Sequence, residues 1–418
     1  MNAREASPAE EVLVVVGSGA RSYREYLWDA LAHRRSWLID DDPPTWQLPY
    51  VAGHTVFPSV RRARLTDNTD RLVADVAEMA AQHRITGFLT FDELLVAATA
   101  RLCEQFGTAG LAPQSAVSCR DKVRTRQLLT GAGLPQPQFR LAQDQAEAQL
   151  AAQAIGYPVV VKPRELGGSV GVLRADDGHC LDPAVAAAAS LSAARGSSGV
   201  LIEELIEGPE ISVDGMVQAG SYHAVLVARK QVGPPPSFEE IGHIVDPVDP
   251  LLTDPALMAT LREAHHALGL RDGMTHTEVK LTIRGPVIIE VNGRLGGDFI
   301  PLLGRLATGI DLAEVAADVA QSRPARSEPE PRTTAGVRFL HPPTDSVLRR
   351  LTLPQPGRAP GLVRAERLTP DGAVLLLPPR GYLSRYAYLI CEANDPAECG
   401  ALLDGASAQV EAILEPVP

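Results

Sequence analysis

The sequence predicts a mixed α/β (α+β) protein built from several units, and three observations carry that expectation. The 418 residues exceed what one hydrophobic core usually organises, so roughly two to four units are expected. Residues 12–32 read as strand, glycine turn and helix, the opening of a doubly wound sheet. Further on, short β-branched runs bounded by glycine and proline alternate with helical patterns.

In chain order, VLVVV at 12–16 is a buried-type strand, followed by Gly17-Ser18-Gly19-Ala20 and a helix over 23–32. A lone GxG suits a nucleotide or an ordinary tight turn. A helix near 69–83 leads to a strand at 87–91. Asp92 and Glu93 sit at that strand's C-terminal end, where open parallel sheets place ligands. A helix over 94–106 closes a first unit, 1–112. Ser118 and Asp121 have capping-box spacing for a helix that carries Lys122 and ends at Gly131 or Gly133. Asp144 and Glu147 cap another, which stops at Gly156. A strand at 158–161 delivers Lys162, and RELGGSVG (164–171) follows. That loop lacks the Lys-Ser/Thr and the helix of a P-loop. It suits a hairpin flap whose amides lie over phosphates, or a plain flexible tip.

Asp182-Pro183 begins an alanine-rich helix running to about 195. A run at 200–207 ends in acids before Gly208-Pro209, and strands follow at 211–217 and 224–230, the second ending at Lys230. The tract 232–240, with three consecutive prolines, reads as a surface loop able to close over a site. Helices over 254–268 and 310–321 flank the hairpin described below, and RPARSEPEPRTT (323–334) is a linker. The last unit has strand-like runs at 336–340, 373–377 and 386–391 and a helix near 397–414. The expected division is 1–112, 113–325 (halves about 113–198 and 199–325) and 326–418.

Composition narrows the function. The net charge of −12 offers no positive field for nucleic acid. No apolar run approaches the ~20 residues that span a bilayer, and MNAREASPAEE lacks a basic head followed by an apolar stretch, so no secretory signal is expected. The five cysteines are scattered and odd in number, which favours reduced thiols in a cytoplasm over disulfides or a zinc site. Of 39 basic residues only four are lysine (Lys122, Lys162, Lys230 and Lys280). In so arginine-biased a chain, a lysine is expected where a compact ammonium is needed and a planar fork does not fit.

The stretch 274–301, MTHTEVKLTIRGPVIIEVNGRLGGDFIP, limits the chemistry most. It reads as two strands, 276–283 in rough period-two alternation and an apolar run resuming at 287–289, with Gly285-Pro286 breaking them. Residues two apart on a strand share a face, so Glu278 and Lys280 point together, as do Glu290 and Asn292. A symmetric hairpin makes Glu278 and Glu290 cross-strand neighbours. Two carboxylates that close call for a cation between them. With the Asn292 amide oxygen the set is all-oxygen and hard, suited to Mg²⁺ bridging phosphates. A surface hairpin with exposed acids would carry the same pattern.

Together these pieces resemble the ATP-grasp superfamily over roughly 115–320, and within it the carboxylate–amine ligases that include the L-amino-acid (dipeptide) ligases. The resemblance implies an ATP-grasp fold with a Rossmann-like pre-ATP-grasp domain before it and a small α+β C-terminal domain after it. It implies that Lys122 and Lys162 hold nucleotide phosphates under a flap of Gly167, Gly168, Ser169 and Gly171. Glu203, Glu204, Leu205 and Ile206 are similar to the adenine hinge, and Glu210 to the ribose acid. Glu278, Glu290 and Asn292 match the metal set, and Arg294 the arginine that steadies an acyl phosphate. Lys230 and FEEIGH (238–243) look like the loop that the dipeptide-ligase branch places near the nucleotide. All four lysines thus fall in or beside the motifs.

The function expected is ATP-dependent amide-bond formation between an amino acid or small carboxylate and an amine, through an acyl phosphate, with release of ADP and phosphate. ATP and Mg²⁺ (two ions, Mn²⁺ able to substitute) are the implied cofactors; small carboxylates and amines are the partners, and a homodimer is the expected assembly. Arg294, with Lys280 or His276 nearby, would stabilise the acyl phosphate and its tetrahedral adduct. Glu93 would hold a substrate ammonium, or be a helix-start acid favoured by the dipole. Gly296 and Gly297 mark the turn where the carboxylate is activated, and His243 is either structural or catalytic. A carboxylase of the same superfamily and a non-catalytic ATP-binding protein are the alternatives.

Overall fold

The computed structural model describes residues 10–57, 69–194, 196–233, 238–326, 328–330, 332–378, 380–381 and 383–417. The first unit is a parallel sheet of β1 (Glu11–Val16), β2 (Ser36–Asp40), β3 (Val51–Val56) and β4 (Arg84–Leu89), in the order β3-β2-β1-β4. Strand periodicity explains its two faces. Val12, Val14 and Val16 pack with α2 (Thr69–Ala80) and α3 (Val96–Phe106), while Leu13 and Val15 pack with α1 (Arg21–Leu31). Neither β2 nor β3 was anticipated from the sequence.

Two short helices follow, α4 (Pro113–Arg120) and α5 (Lys122–Gly131). The single helix expected to start at Ser118 is therefore broken. Asp121 turns extended and caps α5, accepting from Val123 N at 3.0 Å, whereas Ser118 lies inside α4 and bonds back to the Gln114 carbonyl. The antiparallel sheet β5 (Phe139–Ala142), β6 (Val159–Pro163), β7 (Leu173–Ala175) and β8 (Val200–Glu204) runs β5-β8-β6-β7. Its apolar face packs on α6 (Gln145–Ile155) and α7 (Gly178–Ala194). Asp144 and Glu147 form the expected capping box, accepting from Glu147 N and Gln143 N. By contrast, α7 begins before Asp182-Pro183, because Asp177 caps it by accepting from His179 N and Cys180 N.

The largest sheet is antiparallel and eight-stranded. Its strands are β9 (Glu210–Gln218), β10 (Ser221–Val232), β11 (Glu240–Val245), β12 (Gly273–Thr282), β13 (Gly285–Asn292), β14 (Thr334–Leu340), β16 (Leu362–Arg367) and β18 (Ala387–Ala393). The order β13-β12-β9-β10-β11-β14-β18-β16 carries one sheet past residue 325 through the β11–β14 pairing. Helix α8 (Pro255–Ala267) covers one face, and α9 (Ile300–Thr308) and α10 (Leu312–Ala320) share the other with α1 of the first unit. A small sheet of β15 (Ser346–Thr352), β17 (Val374–Leu375) and β19 (Glu411–Pro416), with α11 (Pro396–Ser407), completes the chain. The helix expected near 397–414 thus stops at Ser407. Its last residues, EAILEP, alternate as a strand and pair with β15.

In the proline-rich tract expected to act as a lid, residues 234–237 lie outside the described residues. Its flanks close as a β-ladder end, with Gly233 N donating to the Glu239 carbonyl. No helix among the described residues is long and apolar enough to cross a membrane.

Candidate active site

The hairpin β12–β13 turns through Ile283-Arg284, and Glu278 faces Glu290 directly in its register. His276 faces Asn292 on one side and Asp214 of β9 on the other. The acids open onto a cleft between the four-stranded and eight-stranded sheets, lined by Lys122, Lys162, Ser169, Glu203, Glu204, Leu205, Ile206, Glu210, Phe238, Glu278, Lys280 and Glu290. Most of the residues expected to contact a nucleotide therefore meet there.

Each lysine is anchored to an acid. Lys122, the first residue of α5, lies 3.1 Å from Glu290 Oε1 and donates to the Leu166 carbonyl at the base of the flap. The cap of α5 is fixed in turn, because Arg164 grips Asp121 with two bonds of 3.0 and 2.6 Å. Lys162, ending β6, lies 2.6 Å from Glu203. Lys230 is buried among Glu210 (2.7 Å), Glu240 (2.8 Å) and Glu278 (3.3 Å). Burial opposes its charge, but the three carboxylates raise it well above the ordinary lysine value. Lys280 reaches the other oxygen of Glu210 at 2.9 Å.

Glu203 does not face outward as a hinge side chain. It is buried between Arg126, at 2.6 and 3.2 Å, and Lys162. Burial pushes its carboxyl up, yet the two cations outweigh that and hold it at about 2. Arg126 also donates to the Ile289 carbonyl at 2.8 Å, tying α5 and β8 to β13. Glu204 accepts from Gln138 N, while Leu205 and Ile206 line the cleft wall.

The flap is a true hairpin tip between β6 and β7, with Gly168 and Gly171 at φ +66° and +72°. Ser169, at φ +56°, donates to the Phe238 carbonyl at 3.2 Å, which latches the flap to the 238–243 segment. The cleft beneath holds only about 60 Å³, below the ~300–1,000 Å³ of typical ligand pockets.

Around Arg294 the first unit contributes one acid, Glu93. Arg294 Nε lies 2.5 Å from Glu93, whose other oxygen accepts from Arg120 at 2.8 Å. Burial raises the Glu93 carboxyl, but Arg294 and Arg120 hold it at about 2. Glu93 thus positions two guanidiniums, and its carboxylate is already engaged where a substrate ammonium was expected.

His276 Nδ1 lies 2.5 Å from Asp214 and its Nε2 3.7 Å from Glu278. Burial alone would lower the His276 pKa, but Asp214 pushes it up to about 9. Gly296 N donates to the second Asp214 oxygen at 3.1 Å. A Cβ at Gly296 would sit 2.8 Å from that carboxylate and 2.9 Å from the imidazole, so glycine is required by space. Gly297 accepts at its carbonyl from Ile300 N. His243 is buried on β11, 3.7 Å from Asp298, which Arg385 of the last unit grips at 2.7 and 2.8 Å. Asp214, Arg126, Asp298 and Arg385 escaped the sequence reading. Only Asp214 left a signal, an acid inside the otherwise apolar run ISVDGMV.

Among the described residues no three His, Cys, Asp or Glu side chains form a ready metal cage. Two carboxylates and an amide instead suit an ion that keeps waters and borrows phosphate oxygens, as Mg²⁺ does. Both acids are paired with lysine ammoniums, Glu290 with Lys122 and Glu278 with Lys230.

Residues 155–301 match the family model of the ATP-grasp domain. The chain therefore carries an ATP-grasp domain. An uncharacterized protein of Sinorhizobium fredii is 30% identical over 320 residues, covering 74% of this chain and 63% of that protein. The chain is also homologous to alanine–anticapsin ligase of Bacillus subtilis, 27% identical over 270 residues, covering 59% of this chain and 56% of the relative. It thus spans about 56–63% of the length of these relatives. In fold it is similar to an L-amino acid ligase of Bacillus licheniformis, with a TM-score of 0.78 at 21% identity over 97% of this chain and 99% of the other.

Proposed function

We propose that the protein is an ATP-dependent carboxylate–amine ligase that joins an amino acid or other small carboxylate to an amine through an acyl phosphate. The observation that carries this is the convergence of Glu278 and Glu290 with Lys122, Lys162 and Lys280 at one cleft, with Lys230 paired to Glu278 and Asn292 two residues beyond Glu290 on β13. Lys122 and Lys162 hold the phosphates under the flap, while Leu205, Ile206 and Glu210 receive the nucleoside. Glu278, Glu290 and Asn292 hold Mg²⁺, as two ions or with Mn²⁺ substituting. When bound there, such an ion would supply charge neutralisation to the phosphates.

The chain's own residues do the rest. The substrate carboxylate attacks the γ-phosphorus and ADP leaves; the amine then attacks the acyl carbon, loses a proton, and phosphate departs. Arg294, fixed by Glu93, is the cation assigned to the charge that develops on the acyl oxygen. His276, kept cationic by Asp214 beside the Gly296 amide, adds positive charge at the same turn. The latched flap excludes water from the hydrolysable intermediate. The three units then divide the work: 113–325 binds nucleotide, 1–112 shapes the substrate side through Glu93, and 326–418 braces the Asp298 turn.

The relatives named for ligation support this reading. The test is a matrix of amino acids scored for ADP release with mass detection of products. Amide products dependent on ATP are expected. Turnover that requires bicarbonate instead, or no ADP release across the matrix, would overturn it.

A further inference from the structure

Arg120, the last residue of α4, touches two parts of the site at once. Its Nη1 donates to Glu93 Oε1 at 2.8 Å, and its Nη2 donates to the Glu165 carbonyl at 2.9 Å. Glu93 spends its other oxygen on Arg294, 2.5 Å from Nε. One planar guanidinium thus joins the base of the flap to the carboxylate that fixes Arg294. All three side chains are largely buried, with 12–14% of their surface exposed, so water competes little for these bonds.

The flap base is laced to the same short stretch of chain. Asp121, extended between α4 and α5, accepts from the Arg164 side chain at 3.0 and 2.6 Å. Lys122 N donates to the Arg164 carbonyl at 3.2 Å, and Lys122 Nζ donates to the Leu166 carbonyl. Lys122 also pairs with Glu290, so it connects the flap to a metal acid, whereas Arg120 connects it to Arg294 through Glu93. A second contact follows the same route. A Cβ on Gly167 would lie 3.4 Å from Glu93 Cγ, so the flap backbone rests against that side chain. Arg120 is not among the described residues that line the nucleotide cleft, which places it between the two parts and not against the nucleotide. A guanidinium carries its N–H groups in one plane at fixed separation. It satisfies both acceptors only while the Glu165 carbonyl and the Glu93 carboxylate keep this spacing, and a shift of either leaves a buried acceptor unmet.

We propose that Arg120 is a positioning residue that couples the phosphate flap to Arg294, so that a nucleotide ordering the flap also sets the arginine for acyl-phosphate formation. This rests on the ligase reading above and adds an order of events to it: the donor carboxylate is activated at full rate only with the flap seated on ATP. The coupling is reciprocal, so whatever settles Arg294 also favours the seated flap.

The experiment measures amide hydrogen exchange by mass spectrometry in the full chain and in its Arg120→Met and Arg120→Lys variants, with and without Mg²⁺ and the non-hydrolysable nucleotide AMP-PNP. In the parent, AMP-PNP should slow exchange at least about 5-fold in two places, the flap (164–171) and the Arg294 turn (293–297). In Arg120→Met the flap should still be protected, with Kd for AMP-PNP raised less than about 10-fold because one backbone tie is lost. Protection of the turn should disappear. Arg120→Lys keeps the charge beside Glu93 without the two aimed N–H groups, so it should lose the turn's protection too, and it carries the test if the methionine variant does not fold. Turn protection that survives in a folded variant overturns the assignment, as does a parent whose turn is unaffected by AMP-PNP. Loss of protection at flap and turn together marks a role in nucleotide binding or folding and overturns it as well. Amide formation by the parent is read separately, so a failure of the ligase reading is a distinct result.

Discussion

Glu203→Gln is a sharp test of how the cleft is held. The carboxylate lies between Arg126 and Lys162, almost fully buried, and holds a pKa of about 2 against a usual 4.5. At about 1.4 kcal/mol per unit, that shift corresponds to about 3 kcal/mol of stabilisation. Losing one partner of a buried pair costs about 3–5 kcal/mol. Glutamine still accepts one bond, so about 2–3 kcal/mol is expected. The sign also predicts a pH signature. A depressed carboxylate contributes fully above its unfolded value of about 4.5, and the contribution fades as pH falls toward 2. Urea unfolding of parent and variant at pH 7 and pH 3.5 reads both effects, with the gap narrowing at the lower pH. KM for ATP should rise as well, because Lys162 loses its anchor. A loss under 1 kcal/mol with unchanged KM would refute the idea that Glu203 is a strut for the phosphate lysine.

Other substitutions probe separate parts. Glu290→Ala should lower ATP turnover at least about 100-fold while the fold persists, since the residue is a cleft acid; wild-type rates would remove the metal assignment. Gly296→Ala places a Cβ within 3 Å of both Asp214 and His276, so a loss of about 1–3 kcal/mol in stability is expected together with reduced activity; a thermal melt at the parent temperature would contradict this. Arg385→Ala strips Asp298 of its bidentate partner, which should lower the melting temperature and slow turnover despite its place in the last unit; an active, equally stable variant would free that unit from any role at the turn. Ser169→Ala removes the flap latch to Phe238, so proteolysis within 164–171 should quicken without nucleotide and be suppressed by ATP. Equal cleavage rates in parent and variant would count against the latch.

What was legible in the sequence was what local patterning encodes. The β12–β13 hairpin is written in rough period-two alternation and a glycine turn, and the Glu278–Glu290 pairing was expected of a hairpin symmetric about Arg284; the ladder turns through Ile283-Arg284 instead and reaches that pairing by a register shift between Glu278 and Val279. The lysines stood out because arginine bias made them rare, and all four prove to anchor cleft acids. Partners far apart in sequence were invisible: Asp214 meets His276 across 62 residues, Arg126 meets Glu203 across 77, and Arg385 meets Asp298 across 87. None of these pairings has a periodic signature, since each is made by strands and helices coming together. Competing local signals caused the boundary errors. Asp177 outbid Asp182 as a cap, and Asp121 broke a helix that Ser118 was expected to start. EAILEP took its conformation from β15 rather than from the helix before it. The flap was readable as a glycine loop, but its latch to Phe238 was not, because that contact joins two loops 69 residues apart.

The most direct test of the central claim follows an oxygen atom. The donor amino acid, labelled with ¹⁸O in its carboxylate, is incubated with ATP, Mg²⁺, an accepted amine and the full chain, and the released phosphate is analysed by mass. An acyl phosphate formed at the Glu278–Glu290 cleft leaves one ¹⁸O in each phosphate, matched by one amide and one ADP. Unlabelled phosphate, or label appearing in AMP, would contradict the account.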